Sequence, residues 1–198
     1  MAGRYNRKDH LYERAKEEGF RSRAAYKLLE LQKKYRILSK GSKCLDLGAW
    51  PGGWIQAART VIGDNGRIVG IDLVDIEPFN EPAIMTIAGD MREEHSIAKA
   101  LEFAGGKFDC VLSDLSPKLS GIKEVDQSLS VELAGSALAV AKTALRRGGN
   151  FVCKLFKGGD SERFVKEAKP LFNKAVCSEL DSTRQTSNEY YFIGLGLK

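Results

Sequence analysis
Four side chains in this 198-residue sequence could act together on a weakly acidic hydroxyl: two lysines, Lys27 and Lys154, and two carboxylates, Asp114 and Glu189. Lys154 stands out because it interrupts the otherwise apolar run Phe151-Val-Cys-Lys-Leu-Phe156, where an unpaired lysine is costly. Asp114, in Ser113-Asp-Leu-Ser-Pro117, follows another apolar run, and Glu189, in Ser187-Asn-Glu-Tyr-Tyr-Phe192, opens the last one. Lys154 is the first choice for the group that takes the hydroxyl proton or steers the oxygen's lone pair, with the carboxylates as positioning partners.

A strand followed by Gly48-Ala-Trp-Pro-Gly-Gly53 and then a helical run puts a glycine-rich turn at the carboxyl end of the first strand, where open α/β sheets bind ligands. Gly52 and Gly53 would let the backbone approach a ligand closely. The spacing is not that of a dinucleotide fingerprint, and Pro51 removes an amide that a pyrophosphate cradle would use, so S-adenosylmethionine fits better than a dinucleotide. Asp72, ending Gly70-Ile-Asp72, suits the two ribose hydroxyls of a nucleoside, and Asp90, ending Ala88-Gly-Asp90, suits an adenine amino group.

The elements that must position these groups follow from periodicity. Ala25, Leu28, Leu29, Leu31 and Gln32 have helical spacing over 22–35, with Ser22 as N-cap, and carry Lys27. Short β-rich runs at 43–47, 67–72, 83–88, 108–113, 150–156, 175–180 and 190–197 alternate with helical stretches at 54–62, 96–103, 127–145 and 161–171. This pattern predicts an α/β fold, a Rossmann-like seven-stranded, mostly parallel sheet with helices on both faces. The loop 181–188 is too short for a helical crossover, so the last two strands should form an antiparallel hairpin, the methyltransferase variant of the doubly wound sheet.

Length and composition fit a single domain: a basic N-terminal segment and helix over 1–40 and a catalytic core over 41–198. No apolar stretch is long enough to span a bilayer and the N-terminus lacks a secretory apolar core, which predicts a cytoplasmic protein. Cys44, Cys110, Cys153 and Cys177 each lie in or beside an apolar run and read as core thiols, and neither they nor His10 and His95 show metal-ligand spacing. Net charge is +5, but through Lys43 there are 13 Lys and Arg against 5 acids, and in the remainder 18 against 21. The basic excess is N-terminal, and there Arg4, Arg7, Lys8, Arg21 and Arg23 alternate with Tyr5, Tyr12, Phe20 and Tyr26, a mixture suited to RNA phosphates and bases.

The segments Ser22-Arg-Ala-Ala-Tyr-Lys-Leu28, Asp46-Leu-Gly-Ala-Trp-Pro-Gly-Gly-Trp54, Ser113-Asp-Leu-Ser-Pro117, Val152-Cys-Lys-Leu-Phe156 and Asn188-Glu-Tyr-Tyr191 together resemble the FtsJ/RrmJ family of RNA ribose 2′-O-methyltransferases. Trp50 stands where that family commonly has a small residue. The resemblance implies a catalytic tetrad at Lys27, Asp114, Lys154 and Glu189, and contacts to S-adenosylmethionine at Gly52, Trp54, Asp72, Asp90 and Asp114. A chain ending at the last strand is most similar to the compact prokaryotic enzymes, implying a uridine ribose in 23S ribosomal RNA of the large subunit as substrate. The alternatives are a tRNA or mRNA-cap ribose methyltransferase and a non-catalytic RNA-binding ribosome-assembly factor; a nucleotide-dependent oxidoreductase is disfavoured by the loop spacing.

Overall fold
The computed structural model describes residues 10–184 and 187–198. Its sheet is built from β1 (Lys43–Leu47), β2 (Arg67–Asp72), β3 (Ile84–Ala88), β4 (Phe108–Ser113), β5 (Leu145–Phe156), β6 (Phe172–Ser178) and β7 (Glu189–Leu197), ordered β3-β2-β1-β4-β5-β7-β6. β7 runs antiparallel to β5 and β6, whereas the other pairings are parallel. The inner strands are nearly continuous runs of Leu, Ile, Val and Cys because both faces are covered. On one face lie α2 (Ala25–Tyr35) and α3 (Gly53–Ile62), through Leu28, Leu31, Ile55 and Ile62. On the other lie α4 (Glu94–Ala104), α5 (Lys123–Ala144) and α6 (Gly159–Ala168), where the alanines of α5 allow close approach to the sheet.

The differences from the periodicity reading have local causes. β5 begins at Leu145 rather than Asn150: Leu145 pairs with Phe108, the register breaks, and pairing resumes at Asn150 with Cys110. α5 starts four residues earlier than expected, and α1 (His10–Glu17), a short charged helix with only Ala15 buried, carries too weak an apolar stripe to stand out. Ser22 does not cap α2 with its hydroxyl; the residue before the helix is Ala24, and Ser22 offers its backbone carbonyl to the Ala25 amide at 3.2 Å. Cys177 is exposed on edge strand β6, unlike the buried Cys44, Cys110 and Cys153, because an edge strand with one open face tolerates a thiol outside the core. Among the described residues no helix is long and apolar enough to cross a membrane.

Candidate active site
The strand order reverses between β1 and β4: the chain winds outward through β2 and β3 on one side and through β5 on the other. A crevice therefore opens at the carboxyl ends of these strands. The period of two then decides which side chains meet. Cys110 and Leu112 of β4, Val152 of β5, and Tyr191 and Ile193 of β7 pack on the α2–α3 side, so Asp114, Lys154 and Glu189, each an even number of residues away, are directed to that same side. Lys27 reaches them from α2.

All four expected groups are brought together. Lys154 is 7 % exposed, and its Nζ donates to the Asp114 carbonyl at 2.7 Å and lies 3.2 Å from Asp114 Oδ1. Lys27 is ion-paired with Glu189, both side chains being nearly buried, and Glu189 also accepts from the hydroxyls of Thr183 at 3.1 Å and Ser187 at 3.0 Å. The Tyr191 hydroxyl donates to Asp114 Oδ1 at 2.7 Å. Burial pushes the Asp114 carboxyl up, but the charges of Lys154 and Lys27 and the Tyr191 hydrogen bond outweigh it and hold the group below its ordinary range. Asp114 is thus a stable anion that orients Lys154.

One cavity, of about 510 Å³, is lined by Gly48, Trp50, Asp72, Leu73, Asp90 and Asp114 among others. Asp72 is oriented by the amides of Trp50 and Val74, each donating at 2.9 Å, and Asp90 is held by Arg92, whose Nη2 donates to Oδ2 at 2.5 Å. Trp50, Leu73 and Val74 are 57 %, 74 % and 53 % exposed, an apolar wall beside two carboxylates that matches a nucleoside with a hydrophobic base face. Gly48 is needed here: its φ is +77°, and a Cβ would lie 2.5 Å from Leu115 Cδ2.

Gly52 and Trp54 are not among the residues lining this cavity. A Cβ at Gly52 would meet Phe79 and Arg21, and one at Gly53 would meet Ser22 Oγ at 2.2 Å, so both glycines make room for neighbouring segments of the chain. Trp54 is 4 % exposed, donates Nε1–H to the Ala24 carbonyl at 2.8 Å and packs against Tyr191. These residues fasten the glycine loop, whose Gly48 and Trp50 line the cavity, to the segment leading into α2.

A second cavity, of about 410 Å³, is lined by Arg23, Ala24, Lys27, Leu119, Arg184, Ser187 and Glu189. The tetrad divides the two spaces: Asp114 faces the first, Lys27 and Glu189 face the second. Arg23 donates to the Ser182 carbonyl and remains at the cavity wall. Arg21 is used differently from the expected RNA contact: its guanidinium donates to the carbonyls of Glu77 at 2.6 Å and Pro78 at 3.0 Å and lies 3.8 Å over the Phe79 ring. Phe20 and Tyr26 likewise stack edge-to-face on each other, leaving Tyr12 exposed. Arg4, Arg7 and Lys8 lie outside the described residues.

Sequence reasoning missed Tyr191, Arg184, Trp50 as a cavity wall, and Asp46. Tyr191 lies two residues after Glu189 in the quoted segment, but a tyrosine in a β-rich run reads as core; Arg184 lies in a polar loop without periodicity. Asp46 is 1 % exposed on β1, and neither oxygen has a hydrogen-bond partner among the described residues. Burial, then the neighbouring carboxylates Asp114 and Asp72, raise its pKa well above the usual carboxylate range.

A sequence model described as FtsJ-like methyltransferase matches residues 20–197. The chain is 42 % identical over 195 residues to the "Ribosomal RNA large subunit methyltransferase E" of Myxococcus xanthus, covering 98 % of this chain and 92 % of the relative. It is 40 % identical to the protein of the same name from Syntrophobacter fumaroxidans, with 98 % of each covered, and 43 % identical to that of Methanothrix thermoacetophila, with 96 % of this chain and 72 % of the relative covered. A solved structure named for a ribosomal RNA methyltransferase of Plasmodium falciparum superposes with a TM-score of 0.78 at 27 % identity, over 90 % of this chain and 98 % of that one.

Proposed function
Because the chain belongs to the FtsJ-like methyltransferase family, we propose that it methylates a ribose 2′-hydroxyl, that of a uridine in 23S RNA of the large ribosomal subunit, using S-adenosylmethionine. The observation that carries this reading is the placement of the tetrad between two cavities, one with nucleoside-binding chemistry and one walled by Arg23, Lys27 and Arg184. The relatives' printed names supply the ribosomal RNA and the large subunit.

Asp72 and Asp90 would take the ribose and adenine of the cofactor against Trp50, Leu73 and Val74, with Asp114 closing the end nearest Lys154; Gly52 and Trp54 keep the loop in place. When bound, S-adenosylmethionine supplies a methyl group already activated by its sulfonium. The chain's task is alignment and a place for the hydroxyl proton. Among the described residues Lys154 Nζ donates to the Asp114 carbonyl at 2.7 Å and lies 3.2 Å from the Asp114 carboxylate; the lone pair of its amine takes the ribose hydroxyl proton as that oxygen attacks the methyl, and the ammonium that forms is held by Asp114. Lys27 and Glu189 hold the nucleotide at the mouth. Arg23 and Arg184 neutralise its flanking phosphates, Arg4, Arg7 and Lys8 add charge for further phosphates, and Arg21 braces the 77–79 segment.

The test is transfer of labelled methyl from S-adenosylmethionine to large-subunit ribosomal RNA and subunits from a methylation-deficient strain, followed by mass mapping. A single 2′-O-methylated uridine in 23S RNA is expected. Modification of tRNA or cap RNA instead, or no ribose methylation of any of them, would overturn the proposal.

A further inference from the structure
A third cavity, of about 290 Å³, lies beside the target cavity and shares two of its walls, Leu119 and Ser187. Its other walls are Gly121, Lys123, Asp126, Gln127, Phe156 and Asn188. Neither the tetrad nor the adenosyl-binding residues belong to it. We propose that it is a nucleobase subsite, which takes the unpaired base of a nucleotide adjacent to the methylated one and helps choose the RNA sequence; this rests on the RNA-methylating function proposed above.

The site has the composition that reads a base. Phe156, at the end of β5, offers a partly exposed ring, and stacking on an aromatic ring is a sequence-tolerant source of base affinity. Two amides fix the edge. The Nδ2 of Asn188 donates to the Lys157 carbonyl at 3.1 Å, and the Nε2 of Gln127 donates to the same carbonyl. The backbone amide of Lys157 returns a bond to the Asn188 carbonyl at 2.9 Å, so both side chains are anchored to the sheet. Each NH2 carries a second N–H, so each amide can still donate one bond, and its carbonyl oxygen can accept from a base amino or imino group.

The opposite wall is also fixed. Asp126 Oδ1 accepts from the Ser120 amide and hydroxyl, each at 2.7 Å, which pins the 119–122 turn above the cavity. Leu119, one of the lining residues, is 67 % exposed. An exposed apolar residue at the lip of the cavity matches a flat base sliding in from solvent. Because this cavity and the target cavity meet at Leu119 and Ser187, consecutive nucleotides of one unpaired strand can fill both.

The test uses a synthetic RNA fragment carrying the mapped target nucleotide, with the immediate 5′ or 3′ neighbour replaced in turn by an abasic residue. For the full-length wild-type protein, removing one of these bases should raise KM about tenfold, the scale of one missing stacked base. The Gln127→Ala/Asn188→Ala variant keeps the Phe156 ring, so it should show a smaller rise on intact RNA, and the abasic replacement should cost it less than it costs the wild type, with S-adenosylmethionine affinity unchanged. Asn188 adjoins Glu189, so Gln127→Ala alone must show the same non-additivity, and a loss confined to kcat and equal on both RNAs would mark a structural effect and overturn the subsite. Effects of variant and abasic residue that simply multiply, or intact RNA handled as by wild type, would overturn it too. If the wild type methylates no RNA at all, the function proposed above fails and the subsite with it.

Discussion
Lys154 of β5 and Tyr191 of β7 stand directly opposite each other in the antiparallel ladder, and both bond the same residue, Asp114, which follows β4. Three adjacent strands therefore fix one nitrogen. Tyr191→Phe removes a hydrogen bond to a charged acceptor, a loss of about 1.5–3 kcal/mol, without removing the ring that packs on Trp54. The variant should fold, bind S-adenosylmethionine normally and lose about tenfold or more in the methyl-transfer step. Calorimetric titration together with single-turnover transfer checks this; an unchanged rate would make the Tyr191 hydroxyl a core satisfier only.

Asp72 holds two amides of the loops around the first cavity and is assigned to the cofactor ribose. Asp72→Ala should weaken S-adenosylmethionine binding by about 1.5–3 kcal/mol for each charged hydrogen bond removed. Circular dichroism confirms the fold and titration measures the affinity. A folded variant with wild-type affinity would remove Asp72 from the site.

Asp46 gives a pH prediction. Its folded-state pKa is raised, so the folded protein holds this proton more tightly than the unfolded one. The contribution to stability therefore falls as pH climbs above about 4, the unfolded carboxylate value, and continues to fall until the folded group ionises. Asp46→Asn carries no such proton, so its Tm should gain on that of the wild type as pH rises from 4 towards 8. A Tm difference that stays constant across this range would contradict the assignment.

If the N-terminal cations contact phosphate, charge reversal at Arg4, Arg7 and Lys8 should reduce both RNA affinity and its dependence on salt, with the slope falling by somewhat under one for each phosphate no longer neutralised. Filter binding from low to moderate salt measures it. An unaltered slope would leave these residues as a solvated face.

Much of this site could be read in the sequence because sheet geometry converts spacing into position. A lysine inside Phe151–Phe156 and an aspartate one residue past Ser113 can face the same crevice only if both strands are parallel and keep their period. What escaped was whatever depended on contacts across the fold. That Gly53 makes room for Ser22, that Arg21 is held by the 77–79 turn, and that Arg184 joins the target cavity all arise from segments brought together by α2 and the 181–184 loop. Glu30 shows why: it binds the amides of Asp181 and Ser182 at 2.9 and 3.0 Å across more than 150 residues of chain, a pairing that no local pattern encodes.

The central claim is that Lys154 meets the ribose hydroxyl while the adenosyl groups bind independently of it. Lys154→Ala should bind S-adenosylmethionine and RNA nearly as the wild type does, whereas single-turnover transfer of labelled methyl to large-subunit RNA, at saturating cofactor, should fall by about 10²-fold or more. Near-normal turnover by the folded Lys154→Ala variant would contradict the tetrad mechanism and shift the proton-accepting role to Asp114.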